Sequence, residues 1–274
     1  MRVFISVDIE GVAGVVGREE GSMGNAEYER ARRLMTAEAS AAVRGIMNAA
    51  PDAEVTVADA HGSFRNIIPE LLDERARLVR GKPRALAMIE GIQHGQDVAM
   101  FVGYHGRAGT GDSVLSHTFT GTLADVRING RSFGEIGLNA GVAAVFGVPV
   151  VLVTGDASVQ AEVQDLLGDA TRVAVVKRGI GALAADSLHP NRACQLIELA
   201  AQAAIADAVR PPVFAIEGSV TADVDVSTPA YADQAMVVPG MIRLAGRTLR
   251  YEAPDYLNAY RAVRLIGALS GLPL

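Results

Sequence analysis

Two carboxylates close the first apolar run of the chain, Phe4-Ile5-Ser6-Val7-Asp8-Ile9-Glu10-Gly11. Side chains along a strand alternate faces with a period of two. Asp8 and Glu10 are therefore expected to project the same way, where the strand runs out into Gly11-Val12-Ala13-Gly14. Like charges side by side each raise the cost of ionising the other unless a cation sits between them. His61 in Asp59-Ala60-His61, His105 in Gly103-Tyr104-His105 and Glu135 in Phe133-Gly134-Glu135 follow or flank other apolar stretches. Carboxylates and imidazoles converging at strand ends are what a hydrolytic zinc site requires, so the set reads as that of a metalloenzyme.

The elements that must position these groups alternate between strand and helix. Val3–Val7, Glu54–Ala58, Val98–Gly103, Val148–Thr154 and Arg172–Val176 are apolar runs suited to buried parallel strands. Asn25 is placed to cap a helix with Tyr28, Ala31, Met35, Ala39, Ala42 and Ile46 at helical spacing. Gly134–Phe146 reads as a helix stopped by Gly147. Pro190 opens another, running to about Val209. Beyond Pro211-Pro212 come strand-like pieces at Val213–Ile216, Met241–Leu244 and Thr248–Tyr251, then a closing helix from Asp255. This order predicts an α/β fold, an open and mainly parallel sheet flanked by helices. Residues 1–210 would carry the metal site, and 211–274 would form a smaller α+β portion, either a companion domain or part of one unit.

At 274 residues, with 50% hydrophobic and 20% charged, the chain can bury a sizeable core, which argues against disorder. A formal net charge of −6 argues against a nucleic-acid or anionic-membrane partner. Cys194 is the only cysteine and falls in a helical pattern, so it reads as a buried, inert thiol, and no internal disulfide is possible. The longest apolar run, Val142–Val153, is interrupted by Gly147 and Pro149 and is too short to span a bilayer. With no charged leader or apolar signal core, a soluble, cytoplasmic protein is expected.

In open α/β sheets ligands bind beyond the carboxyl ends of the strands, where Asp8, Glu10, His61 and His105 fall. Taken singly, His61 would be a turn histidine, and Glu135 would favour a helix start through the macrodipole alone. His94 and His189 sit among turn residues and read as surface groups. Gly11, Gly14 and Gly17 do not match the dinucleotide fingerprint, and bare carboxylates beside them would repel a pyrophosphate.

Together these residues resemble the D-aminopeptidase family associated with bacterial dipeptide-transport operons. Its Ser-x-Asp-x-Glu-Gly signature is present as Ser6-Val7-Asp8-Ile9-Glu10-Gly11. The likeness continues through Asp59-Ala60-His61, Gly103-Tyr104-His105, Ser116-His117 and Gly134-Glu135-Ile136-Gly137-Leu138-Asn139-Ala140. The resemblance implies an aminopeptidase with two zinc ions per chain, acting on short peptides with an N-terminal D-residue such as D-Ala-D-Ala. It also implies a ring-like homodecamer. By the same resemblance Asp8 bridges the metals, Glu10 and His105 complete one site, His61 and Glu135 the other, and His117 is the remaining catalytic residue. The chain departs from the family pattern in its middle loops and around Glu217–Ala235, regions expected to line the pocket. Two other readings stay open: a binuclear hydrolase of another amide or a phosphoester, and a non-catalytic α/β small-molecule binding module.

Overall fold

The structure is a computed structural model that describes residues 1–207 and 209–272. The chain runs β1 (Arg2–Val7), α1 (Ala26–Ala49), β2 (Glu54–Asp59), β3 (Ala76–Val79), β4 (Val98–Tyr104), β5 (Leu123–Ile128) and β6 (Arg131–Ser132). It continues through α2 (Glu135–Val145), β7 (Val150–Asp156), α3 (Val159–Leu166), β8 (Arg172–Gly181), β9 (Ala184–Ser187) and α4 (Pro190–Ala206). The last elements are β10 (Val220–Val226), α5 (Pro229–Ala235), β11 (Met241–Arg243), β12 (Thr248–Ala253) and α6 (Tyr256–Ser270).

The larger sheet has the order β3-β2-β1-β4-β7-β8-β9, parallel except for the antiparallel β8–β9 hairpin at its edge. From β1 the chain winds outward through β2 and β3, then returns to add β4 on the other side. That reversal makes a topological switch point between β1 and β4, and ligands bind at the carboxyl end of such a point. Alternation along β1 sorts its two faces. Val3, Ile5 and Val7 pack with α1 and α4, while Phe4 joins the core on the opposite side. The two helices approach so closely that a Cβ at Gly45 would collide with the Glu198 carbonyl. Asn25 caps α1 by accepting from the Tyr28 N–H, as its spacing predicts.

A second, five-stranded antiparallel sheet, β11-β12-β10-β5-β6, covers that opposite core. It takes β5 and β6 from the middle of the chain and the other strands from its end. Val213–Ile216, expected as a strand, is irregular and joins no ladder among the described residues, and Phe214 packs against Phe133 with centroids 5.8 Å apart. Helix α4 ends at Ala206, and the continuation predicted to Val209 crosses residue 208, which lies outside the described residues. No helix among the described residues is long and apolar enough to cross a membrane.

Candidate metal centre

Strand β1 ends at Val7, one residue before the first carboxylate, so strand alternation alone does not align Asp8 with Glu10. A tight turn does. Asp8 N–H still donates to Val102 O, Val12 N–H closes back on Ile9 O, and Gly11 N–H donates to Gly103 O. Gly11 is obligatory there, because any Cβ would fall onto the Tyr104 carbonyl. The loop after it is tied down from all sides. Glu38 Oε1 accepts from Ala13 N–H at 2.9 Å and Glu20 Oε2 from Gly17 N–H at 2.8 Å, while the Lys177 ammonium donates to the carbonyls of Glu10, Val12 and Val15. The glycine-rich N–H groups thus serve carboxylates of the protein itself, which fits their mismatch to a dinucleotide fingerprint.

His61 follows β2 and His105 follows β4. Asp59 organises the turn after β2 by accepting from Ile67 N–H and Asn66 Nδ2, both at 2.7 Å, and Asn66 Nδ2 also donates to His61 O. Glu135 opens α2, whose start is held by Glu162 Oε1 accepting from Gly134 N–H at 2.8 Å. Glu135 Oε1 accepts from Phe119 N–H at 2.7 Å. His117 sits between Leu115 and Phe119, both at positive φ (54° and 60°). Bulky residues rarely adopt that conformation, and such strain concentrates at functional sites. The His105 and His117 rings stack with centroids 4.4 Å apart.

Each imidazole is oriented by a main-chain carbonyl: His61 Nε2 by Gly21 O at 2.8 Å, His105 Nδ1 by Gly106 O at 3.0 Å, His117 Nδ1 by Leu115 O at 2.8 Å. A carbonyl only accepts, so those nitrogens carry protons and, in the neutral ring, the opposite ones present lone pairs. All three lone pairs face carboxylates. His61 Nδ1 lies 3.0 Å from Glu10 Oε2 and 3.4 Å from Asp8 Oδ1. His105 Nε2 lies 3.6 Å from both Asp8 Oδ2 and Glu135 Oε2, and it is buried with no hydrogen-bond partner. His117 Nε2 is 3.7 Å from Glu135 Oε1 and 3.9 Å from Glu10 Oε1.

Acceptors converging on acceptors in a buried space require positive charge between them. The titration directions agree. Burial would push His61 and His105 down, yet the neighbouring carboxylates hold both well above the ordinary value. Burial would push the Asp8 carboxyl up, yet the two imidazoles beside it, His105 and His61, hold it well below. Mixed oxygen and imidazole donors suit zinc, and second-partner carbonyls are the usual way such histidines are aimed. Donor atoms of Asp8, Glu10 and His105 lie within 4.8 Å of one another, as do those of His105, His117 and Glu135. His94 and His189 lie apart from this cluster; His189 caps α4.

The cluster forms the floor of a cleft. On one side a cavity of about 340 Å³ is lined by Asp8, His61, Phe64, Met88, Phe119 and Glu135, with Lys82 and Arg264 among its walls. No residue of 217–235 lines it; the C-terminal contribution comes from Arg264 and Ala268 of α6. Sequence reasoning passes over Lys177 and Glu162. The signal for Lys177 is a lysine directly after the apolar Val173–Val176 run in a chain with two lysines.

Comparison with known proteins finds relatives along nearly the whole chain. A curated D-aminopeptidase from Bacillus subtilis (strain 168) is 33% identical over 279 residues, covering 98% of both chains. The solved structure of the Zn-dependent D-aminopeptidase DppA from Bacillus subtilis, described as a self-compartmentalizing protease, superposes with a TM-score of 0.94 at 31% identity, again over 98% of both chains. The family model Peptidase M55, D-aminopeptidase, matches residues 1–265, and the chain belongs to that family.

Proposed function

We propose that this protein is a zinc-dependent aminopeptidase that releases the N-terminal D-residue of short peptides such as D-Ala-D-Ala. The observation that carries this reading is the buried convergence of imidazole lone pairs on Asp8, Glu10 and Glu135. Two zinc ions per chain are proposed, with Asp8 as the bridge, since its Oδ1 faces His61 and its Oδ2 faces His105. By family likeness Glu10 and His105 would complete one site with Asp8, and His61 and Glu135 would belong to the other. Zinc at such sites supplies a Lewis acid and a nucleophile from water at neutral pH.

The chain's own residues do the rest. His117 exchanges a proton at Nε2, the nitrogen left available by its bond to Leu115 O. Phe64, Met88 and Phe119 present apolar surface that excludes water and packs the peptide. Buried behind the site, Tyr104 OH bonds Ser6 Oγ at 2.7 Å and accepts from Asn139 Nδ2 at 3.0 Å, which locks β1, β4 and α2 together. A higher-order homo-oligomer, a homodecamer by family likeness, and a cytoplasmic location complete the proposal. The segment from 211 onward is proposed to fold with the metal-bearing portion, because β10 pairs with β5.

The test is an assay of zinc-loaded protein on D-Ala-D-Ala and on L-Ala-L-Ala, with metal content measured in parallel. Zinc-dependent release of D-alanine, faster than that of L-alanine, is the expected result. Equal or faster turnover of the L-peptide removes the stereochemical part, and inertness toward both removes the peptidase reading.

A further inference from the structure

The walls of the cavity carry a charge pattern that the metal cluster does not use. Asp8 and Glu135 are its acidic lining residues, and Lys82 and Arg264, from separate parts of the chain, line the same cavity and are brought near each other by the Arg264 contact to Ala85. In a protein of net charge −6, neither cation is ion-paired with a carboxylate among the described residues. The Lys82 ammonium rests 4.9 Å from the centre of the Phe64 ring, and the Arg264 guanidinium 5.8 Å from that of Tyr260. Arg264 Nη1 donates to Ala85 O at 2.8 Å, which holds the loop carrying Lys82 against α6. Burial pushes the Lys82 ammonium down, with further lowering from Arg264 and Arg84, so its surroundings carry uncompensated positive charge. Arg84, by contrast, is committed to the carbonyls of Asp59 and Gly81.

We infer that Lys82 and Arg264 form a receptor for the free C-terminal carboxylate of the substrate, which makes short zwitterionic peptides the preferred class. This rests on the aminopeptidase reading of the site and names the group that reading leaves open. A peptide whose amine is drawn to the acidic floor offers its carboxylate one or two residues away, roughly 3.5 Å per residue along an extended chain. A cavity of about 340 Å³ is at the small end of ligand pockets and suits a peptide of that size. Arg264 matches a carboxylate with its planar fork, and Lys82 adds a point charge on a flexible stem. The aromatic faces beneath both cations hold them without neutralising them.

The test uses a reduced-amide analogue of D-Ala-D-Ala, which cannot be hydrolysed, and its C-terminal carboxamide. Their affinities for the zinc-loaded protein are measured by calorimetry. The carboxamide is expected to bind about 10-fold or more weakly, the scale of a lost charge-assisted contact. In the double variant Lys82→Met, Arg264→Met that difference disappears with zinc content unchanged, and Lys82→Arg in place of Lys82→Met retains part of it. In hydrolysis the double variant raises KM for D-Ala-D-Ala with little change in kcat. Equal affinity of acid and carboxamide for the parent protein, or full discrimination by the double variant, overturns the receptor. Failure of the peptidase reading looks different: neither D-Ala-D-Ala nor its amide is hydrolysed, while the binding comparison still reports on Lys82 and Arg264.

Discussion

The ammonium of Lys177, on β8, donates to the main-chain carbonyl of Glu10 and is itself buried. It also takes the carbonyls of Val12 at 3.1 Å and Val15 at 2.6 Å. Burial pushes this lysine down to about 8, against the pull of Asp156, Glu38, Glu10 and Glu20. A cation buried against that penalty has a structural role, and here it shapes the turn that points Glu10 toward His61.

Lys177→Met should therefore strand three carbonyls. We expect a loss of about 2–4 kcal/mol of stability and a zinc affinity lower by roughly 10–100-fold, the usual effect of losing a group that aims a ligand. Chelator competition and chemical denaturation measure the two effects separately. Parental zinc affinity in a folded variant would mean that the Glu10 turn holds its own shape.

Asp8→Asn replaces the carboxylate whose two oxygens face His61 and His105, whereas Glu10 and Glu135 each direct one oxygen to His117. An amide bridges cations poorly, so the variant is expected to lose most of both zinc ions. Metal analysis after gel filtration decides this, and full occupancy would exclude Asp8 as the bridge.

His117 is the most exposed of the three histidines, its side chain 25% exposed against 14% for His61 and 1% for His105, and it lines the cavity. His117→Ala should keep its zinc and its assembly while kcat falls by about 10²-fold or more, the scale of a lost acid–base group. A near-parental kcat with metal intact would remove it from the chemistry.

Glu38 provides a pH signature away from the site. Burial pushes its carboxyl from 4.5 up to about 7, and its Oε2 has no partner. The native state then holds a proton that the unfolded chain releases, so this group's contribution falls as pH rises from 4.5 to about 7. Glu38→Gln abolishes that titration. Relative to the parent it should gain about 3 kcal/mol across this window, with little further change above it. Denaturant midpoints at pH 5 and pH 8 test the sign. A constant difference between the two proteins would show that Glu38 titrates normally.

The assembly is testable without mutation. Apolar residues such as Ile180, Leu183, Leu199 and Val237 are well exposed on the single chain, and closed symmetric assemblies are the common way to cover such surface. Light scattering at micromolar concentration should report a mass many times that of one chain. A monomer's mass would refute the oligomer.

Local signals carry much of the fold. Periodicity marks α1, α2, α4 and α6, and unbroken apolar runs mark β1, β2, β4 and β7, because buried parallel strands are apolar on both faces. The β5–β6 hairpin also has a local signal, which the strand pattern above leaves out. Asn129-Gly130 supplies two consecutive positive φ values, 50° and 80°, the pattern of a two-residue hairpin turn. Val220–Val226 likewise alternates, with Val220, Ala222, Val224 and Val226 buried and Asp223 and Asp225 paired to Arg250 and Arg127 on the other face.

What the residues alone determined is the set of candidate site groups, since Asp8, Glu10, His61, His105, His117 and Glu135 stand in recognisable local contexts along the chain. What needed the tertiary structure is everything that depends on distance between remote segments. Only the switch point between β1 and β4 brings four separate loops to one place, and only the carbonyls of Gly21, Gly106 and Leu115 decide which nitrogen of each histidine faces the carboxylates. Lys177, 167 residues from Glu10, and Arg264, on the last helix, were invisible as site residues for the same reason. A side chain's chemistry is written in its type, but its role is set by which fields and atoms the fold packs against it, and those come from parts of the chain with no local sequence relation to it.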